Sequence, residues 1–272
     1  GVVKRAELWV GLVLVTTVVA MALLSFIWTP FDATAVGSAP RLQNPGWPHV
    51  LGTDHMGIDT FSRILVGARS ALYVGIIAVG IAALVGVPLG ILAAWLPRWG
   101  AEVMMRATDV AYAFPALLLA ILLAAVFGAS TETAMVAIGI ATIPAFIRVT
   151  RAGALSVLAS DYVLAARASG TPVPAIAVRH VLPNVAHLIG VQASVSFAMA
   201  ILAEAALSYL GLGTPPTVPS WGRMLGDAQT YLFSHPAQAV WPGLAIAAAV
   251  LGFNLVGDGL RDFLDPKLRE VT

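Results

Sequence analysis

Six stretches of the chain hold no Asp, Glu, Lys or Arg, and bands of charge separate them. They cover residues 8–28, 71–96, 110–127, 133–147, 181–203 and 237–257. An ionised side chain at the middle of a bilayer costs about 2.5–3.5 kcal/mol even on insertion scales, so charge-free apolar windows mark candidate spans. A crossing takes about 20 apolar residues, a length that five of the six windows reach or approach. The fourth is shorter, with Glu132 and Arg148 at its borders, where long side chains reach out to the interface. Apolar positions run continuously rather than alternately, unlike the strands of a lipid-facing barrel. The pattern predicts an all-α membrane protein with six transmembrane helices in one domain, 1–272, and a polar segment, 148–180, between the fourth and fifth spans.

Composition agrees: 59% of residues are hydrophobic and 11% charged, less than half the charge of a soluble domain. The first window is longer than the apolar region of a signal peptide, so it is expected to be a span although Ala33-Thr34-Ala35 resembles a cleavage site. Six spans put both termini on one side. Lys4, Arg5, Arg98, Arg106, Arg148, Arg151, Arg167, Arg179, Arg261, Lys267 and Arg269 share that side, leaving Arg41, Arg63, Arg69 and Arg223 opposite. By the positive-inside rule both termini and segment 148–180 are expected in the cytoplasm.

The same totals narrow the chemistry. Fifteen basic against fourteen acidic residues is no nucleic-acid footprint. No Cys exists to supply a nucleophile or thiolate ligand, and neither Lys4 nor Lys267 follows a Gly, so no Gly-Lys phosphate loop is present. A membrane serine protease would need a buried Ser–His pair, and His187 is better placed near the membrane surface than as a base for Ser194 or Ser196. His49, Asp54, His55 and Asp59 cluster in sequence, but Asp54 is expected to cap a turn beginning near Met56 rather than bind metal. No ionisable group falls mid-span, so a transported solute would draw its driving force from elsewhere. Pro88, Pro115, Pro144, Pro183 and Pro242 mark irregular helices, and Gly75, Gly80, Gly86 and Gly90 suit close helix contact. Trp221 and Trp241 are expected in the interfacial aromatic belt.

Within the polar segment, residues 160–172 predict a short helix with its own punctuation. Ser160 or Asp161 would cap its start, Gly170 suits the left-handed position after its end, and Pro172 prevents continuation. A sharp corner is expected after this helix, then a second helical piece, 174–181, that meets Pro183 entering the fifth span. Small Ala165, Ala166 and Ala168 allow another protein to approach closely.

This segment resembles the Glu-Ala-Ala loop of permeases in binding-protein-dependent ABC importers. Ala165, Ala166, Gly170, Leu182 and Pro183 match at the required spacing, while Leu164 stands in place of Glu and His180 in place of Ile. The tract Arg179-His180 through Pro183-Asn184 is typical of the peptide branch. Asp161, one turn before Leu164, offers a substitute carboxylate. Tracts at 51–59, 67–70, 113–115, 201–205, 210–213, 219–222 and 254–262 resemble the second permease of dipeptide, oligopeptide and nickel importers.

The resemblance implies a type I ABC importer permease in a prokaryotic plasma (inner) membrane, with a cytoplasmic coupling helix. It implies a second homologous permease, two cytoplasmic ATPase domains carrying ATP and Mg, and an extracytoplasmic solute-binding protein, with no cofactor or metal in this chain. The expected ATPase-coupling residues are Asp161, Tyr162, Leu164, Ala165, Ala166, Arg167, Gly170, His180, Leu182 and Pro183. Gln192, Ser194, Ser196 and Met199 are candidates for the pathway, and Glu204 for an outer gate or a partner of Arg69. Peptide is the expected cargo, with nickel, glutathione or another small solute as alternatives; an autonomous channel or secondary transporter is the competing class.

Overall fold

A computed structural model of the chain describes residues 2–264. Lys267 and Arg269, two of the residues used for orientation, lie outside the described residues, as do the side chains of Lys4 and Arg5. The helices are α1 (Val2–Ile27), α2 (Thr60–Trp95), α3 (Arg98–Ala113), α4 (Ala116–Phe127), α5 (Thr131–Leu158), α6 (Asp161–Ala168), α7 (Val173–Ile176), α8 (Leu182–Tyr209), α9 (Trp221–Ala228) and α10 (Ala237–Leu264). A π turn, Ala177–Val181, joins α7 to α8. Among the described residues the only extended pairing is one bridge between Thr53 and Asp59. Five helical segments are long and apolar enough to cross a membrane, and α3–α4 make a sixth if taken as one bent span.

Helices exceed the apolar windows wherever the chain itself supplies partners for polar groups. The second window begins at 71, yet α2 begins at Thr60 because Asp59 caps it, its Oδ2 accepting from the Ser62 amide at 2.8 Å and hydroxyl at 2.7 Å. At 36 residues α2 is about 54 Å long, far more than the ~30 Å hydrocarbon core, so several turns project beyond it. The third window is not one helix: Phe114 is extended ahead of Pro115, which lacks a donor, and the chain bends by 77°. The fourth lies inside a 28-residue helix, Thr131–Leu158, that runs past both Glu132 and Arg148, the latter paired with Asp109.

α2, α5 and α8 form the centre. α1 and α10 pack on one side, α3 and α4 against α5 on the other. Gly86 and Gly90 set the α2–α5 approach: a Cβ at Gly86 would lie 2.6 Å from Phe146 Cβ and 2.9 Å from the Ile143 oxygen, and one at Gly90 2.7 Å from Thr150 Cβ. Gly75 takes the Phe197 ring, which stacks on Phe253 at 4.2 Å and ties α2, α8 and α10 together. Gly80 meets nothing within 4 Å and is not a packing glycine. Pro88, Pro144 and Pro242 sit inside α2, α5 and α10 without ending them.

At one end of the bundle, residues 29–59 and 210–236 fold over the start of α2 as a cap. Trp221, expected at the interface, is instead 1% exposed: its indole N–H donates to the Ile64 carbonyl at 2.9 Å and its ring covers Gly67. Ser70 donates to the Pro219 carbonyl at 2.9 Å, and Gln238 of α10 to the Thr53 carbonyl at 2.6 Å. Arg63 pairs with Asp54 with both side chains buried, and Asp54 also accepts from the Met56 and Ile58 amides, as the turn-capping expectation required. At the opposite end lie α6, the N-terminal half of α1 and the C-terminal end of α10, where Gly259 touches Leu8.

Two stability predictions follow from this packing. Gly86→Leu should cost more than the 1–3 kcal/mol typical of overpacking, since the Phe146 Cβ and the Ile143 carbonyl that block the site cannot swing aside, whereas Gly80→Leu should be near neutral; thermal melting of the purified variants measures the difference. Arg63→Met should destabilise the cap by about 3–5 kcal/mol by leaving Asp54 buried and unpaired, and adding Asp54→Leu should recover much of it. Limited proteolysis of residues 29–59 reads that recovery.

Candidate functional site

The buried anchor of the loop helix α6 is Val163. Val163 is fully buried among Ala154 and Leu158 of α5, Ile176 of α7, Val181 of the π turn and Val185 of α8. Its other face is open: Asp161, Tyr162, Leu164, Ala165, Arg167 and Gly170 are exposed, and Ala166 is half-buried. Ser160 occupies the cap position, but neither it nor Asp161 caps through a side chain. The Ser160 hydroxyl donates to the Val157 carbonyl, and its own carbonyl accepts from Val163 and Leu164. The end follows the expected motif: Gly170 has φ +79°, its amide donates to the Arg167 carbonyl at 3.0 Å, and the Thr171 amide donates to the Ala166 carbonyl at 3.1 Å. Asp161 at the start and Arg167 at the end each complement the helix dipole.

α6 ends at Ala168 and α7 starts at Val173, with Gly170 at φ +79° in the turn between the two expected pieces. Residues Val173–Tyr209 run as one 37-residue helical segment whose irregularity is the π turn. Pro183 supplies no N–H, the register shifts so that the Leu182 amide reaches the Ala177 carbonyl, and the Asn184 side chain donates to the His180 carbonyl at 2.7 Å. His180 also lies 6.0 Å, ring to ring, from Tyr162 of α6. α6 thus packs against α5 and α8 through Val163, and lies against the start of the long α8 segment through Tyr162 and His180.

The candidate pathway residues of α8 do not share a face. Gln192 donates to Ser196 at 2.9 Å and Met199 is 58% exposed on the same stripe, one turn further on. Ser194 turns to α10, donating to the Phe253 carbonyl at 2.6 Å. Glu204, in the last two turns of α8, is 2% exposed and accepts from Ser208 at 2.6 Å and Thr214 at 3.0 Å. Arg69 is not its partner: it donates to the Ser25 hydroxyl and lies 4.0 Å over the Phe26 ring. Glu204 therefore ties the end of α8 to the loop that follows. Opposite the bundle centre, Arg148 of α5 donates to Asp109 of α3 at 2.7 Å and lies 4.4 Å over the Tyr112 ring, a contact unmarked in sequence because its partners are 39 and 36 residues away.

The His49–Asp59 cluster is engaged in structure rather than open to a metal. His49 Nδ1 lies 2.9 Å from Asp59 Oδ1, and both carboxylates are bound as described above. Among the described residues no group of three or more His, Asp or Glu is placed to hold a metal ion. The arrangement is an exposed helix with one buried residue, Val163, at the foot of long helices.

Residues 86–270 match the family model described as the inner membrane component of binding-protein-dependent transport systems. The chain is 40% identical to the dipeptide transport system permease protein of Alkalihalophilus pseudofirmus, over 96% of this chain and 86% of that one. It is 41% identical to the glutathione transport system permease protein of Pectobacterium atrosepticum, over 94% and 85%, and 39% identical to the di/tripeptide transport system permease protein of Pseudomonas aeruginosa, over 96% and 88%. A match over two thirds of its length, together with relatives that span nearly all of it, means that the chain belongs to the family of binding-protein-dependent transport system inner membrane components, the non-catalytic membrane subunits of ABC transporters.

Proposed function

We propose that this chain forms half of the pore of an ATP-driven importer for dipeptides and short oligopeptides in a prokaryotic plasma membrane. A second homologous permease supplies the other half, and a binding protein delivers the solute from outside. Two ATPase domains, carrying ATP and Mg, dock on α6 from the cytoplasm. Support for the cargo comes from the relatives, named for dipeptides, di/tripeptides and glutathione, itself a tripeptide. Support for the sidedness comes from the basic residues at the α6 end, where Arg98, Arg151, Arg167 and Arg179 gather.

The observation that carries the proposal is α6 itself. An eight-residue helix on the surface is marginal unless something fixes it. Here capping at Gly170 and burial of Val163 hold it, while its remaining face stays open for a partner. Movement of docked ATPase domains would shift the feet of α5 and α8 together, and the long helices would carry that shift toward the cap. Domain motion of this kind needs packed, rigid elements rather than flexible ones. In this reading Leu164 replaces a carboxylate contact with an apolar one, 48% exposed, and Asp161 supplies the charge.

Ala165→Glu places a charge on the open face, and Gly170→Val forces a β-branched residue into a left-handed backbone. Both should reach the membrane at the wild-type level, lose the ATPase on purification and lower peptide uptake by more than about tenfold, equivalent to about 1.4 kcal/mol of lost coupling. Uptake of a labelled dipeptide by cells lacking other importers measures the effect. Wild-type yield of complex and undiminished peptide-stimulated hydrolysis in both variants would overturn the reading.

A further inference from the structure

Between the last turns of α2 and the α7–π segment runs a groove of about 350 Å³ with an entirely apolar lining that includes Pro88, Leu92, Trp95, Val173, Val178 and Leu182. Four of these are exposed: Leu92 at 50%, Val173 at 56%, Val178 at 63% and Leu182 at 37%. We infer that this groove holds an acyl chain of an anionic phospholipid from the cytoplasmic leaflet, with its headgroup phosphate bound by Arg167 of α6.

Two observations choose this occupant. The first is length. The α2 wall runs from Val87 to Trp95, about 12 Å of helix rise, which matches one leaflet of about 15 Å but not the ~30 Å that a partner's spanning helix would occupy. The second is charge. The Arg167 guanidinium lies 5.0 Å over the ring of Trp95, which itself lines the groove, so a cation sits at the rim of an apolar slot. Arg98, three residues past Trp95, and Arg179, beside Val178, are exposed near the same rim, and neither lining segment carries a carboxylate. Apolar slot, indole and guanidinium in succession match an acyl chain, its ester region and a phosphate.

Because Arg167 belongs to α6, such a lipid joins the foot of α2 to the helix on which the ATPase domains are proposed to dock. The placement rests on the cytoplasmic orientation proposed above. Its readout is bound lipid rather than transport, so the two readings fail separately.

The test is native mass spectrometry of the complex purified from its own membrane, then exchanged into nanodiscs of equal phosphatidylglycerol and phosphatidylcholine. The wild type should retain phosphatidylglycerol in preference. Arg167→Gln should reduce the retained amount by about fivefold, the effect of one cation at an anionic surface, and Arg167→Lys should restore much of it. Val178→Trp, at an exposed position where folding tolerates bulk, should fill the groove and reduce it as far. A photoreactive group on Val178→Cys should label phospholipid. Unchanged lipid in Arg167→Gln or Val178→Trp, or labelling of a second permease by that group, overturns the inference.

Discussion

Every backbone N–H and C=O inside a bilayer must find its partner within the protein, and the form of this chain follows from that requirement. Where the sequence cannot continue a simple helix, the structure repairs it locally. Pro183 removes a donor, and a π turn with the Asn184 side chain takes up the carbonyls left over. Pro115 is not repaired in place but moved to a 77° bend between two helices. The same demand explains why the helices pack through glycine. A lipid-facing leucine gains little by moving against another helix, so contact must come from close backbone approach, as at Gly86 and Gly90 against α5.

Charge is handled by the same economy of partners. Arg63 and Asp54 hold each other inside the cap, Glu204 is satisfied by Ser208 and Thr214, and Arg148 is paired with Asp109. Arg63 in α2, Glu204 in α8 and Arg148 in α5 all lie inside helices yet outside the apolar windows. Their contacts join segments far apart in sequence: α3 to α5, α8 to the loop before α9, and the turn at 54–58 to α2. The cap and the bundle are thereby one packed body, with Trp221 and Gln238 as the pins between them.

That rigidity has a functional consequence. In the proposed importer, work done on the loop end would travel mechanically. Val163 and the continuous Val173–Tyr209 segment provide a stiff route from an exposed helix to the neighbourhood of the cap.

The sequence by itself determined the class, the approximate helices and the loop helix with its Gly170 end, because these depend on local periodicity, charge-free length and backbone conformation, all written within a few residues. Membership of the permease family was legible for the same reason, from motifs such as Ala165-Ala166 to Leu182-Pro183 at fixed spacing. The tertiary structure alone decided that Trp221 is buried, that Ser194 faces α10 while Met199 faces outward, and that Glu204 and Arg69 have separate partners. The partners that place Arg69, Ser194 and Trp221 lie 44 to 157 positions away, and Thr214 lies 10 from Glu204. Local pattern carries no information about which side chain will complete a hydrogen bond across the bundle; only packing the helices together brings the partners within reach.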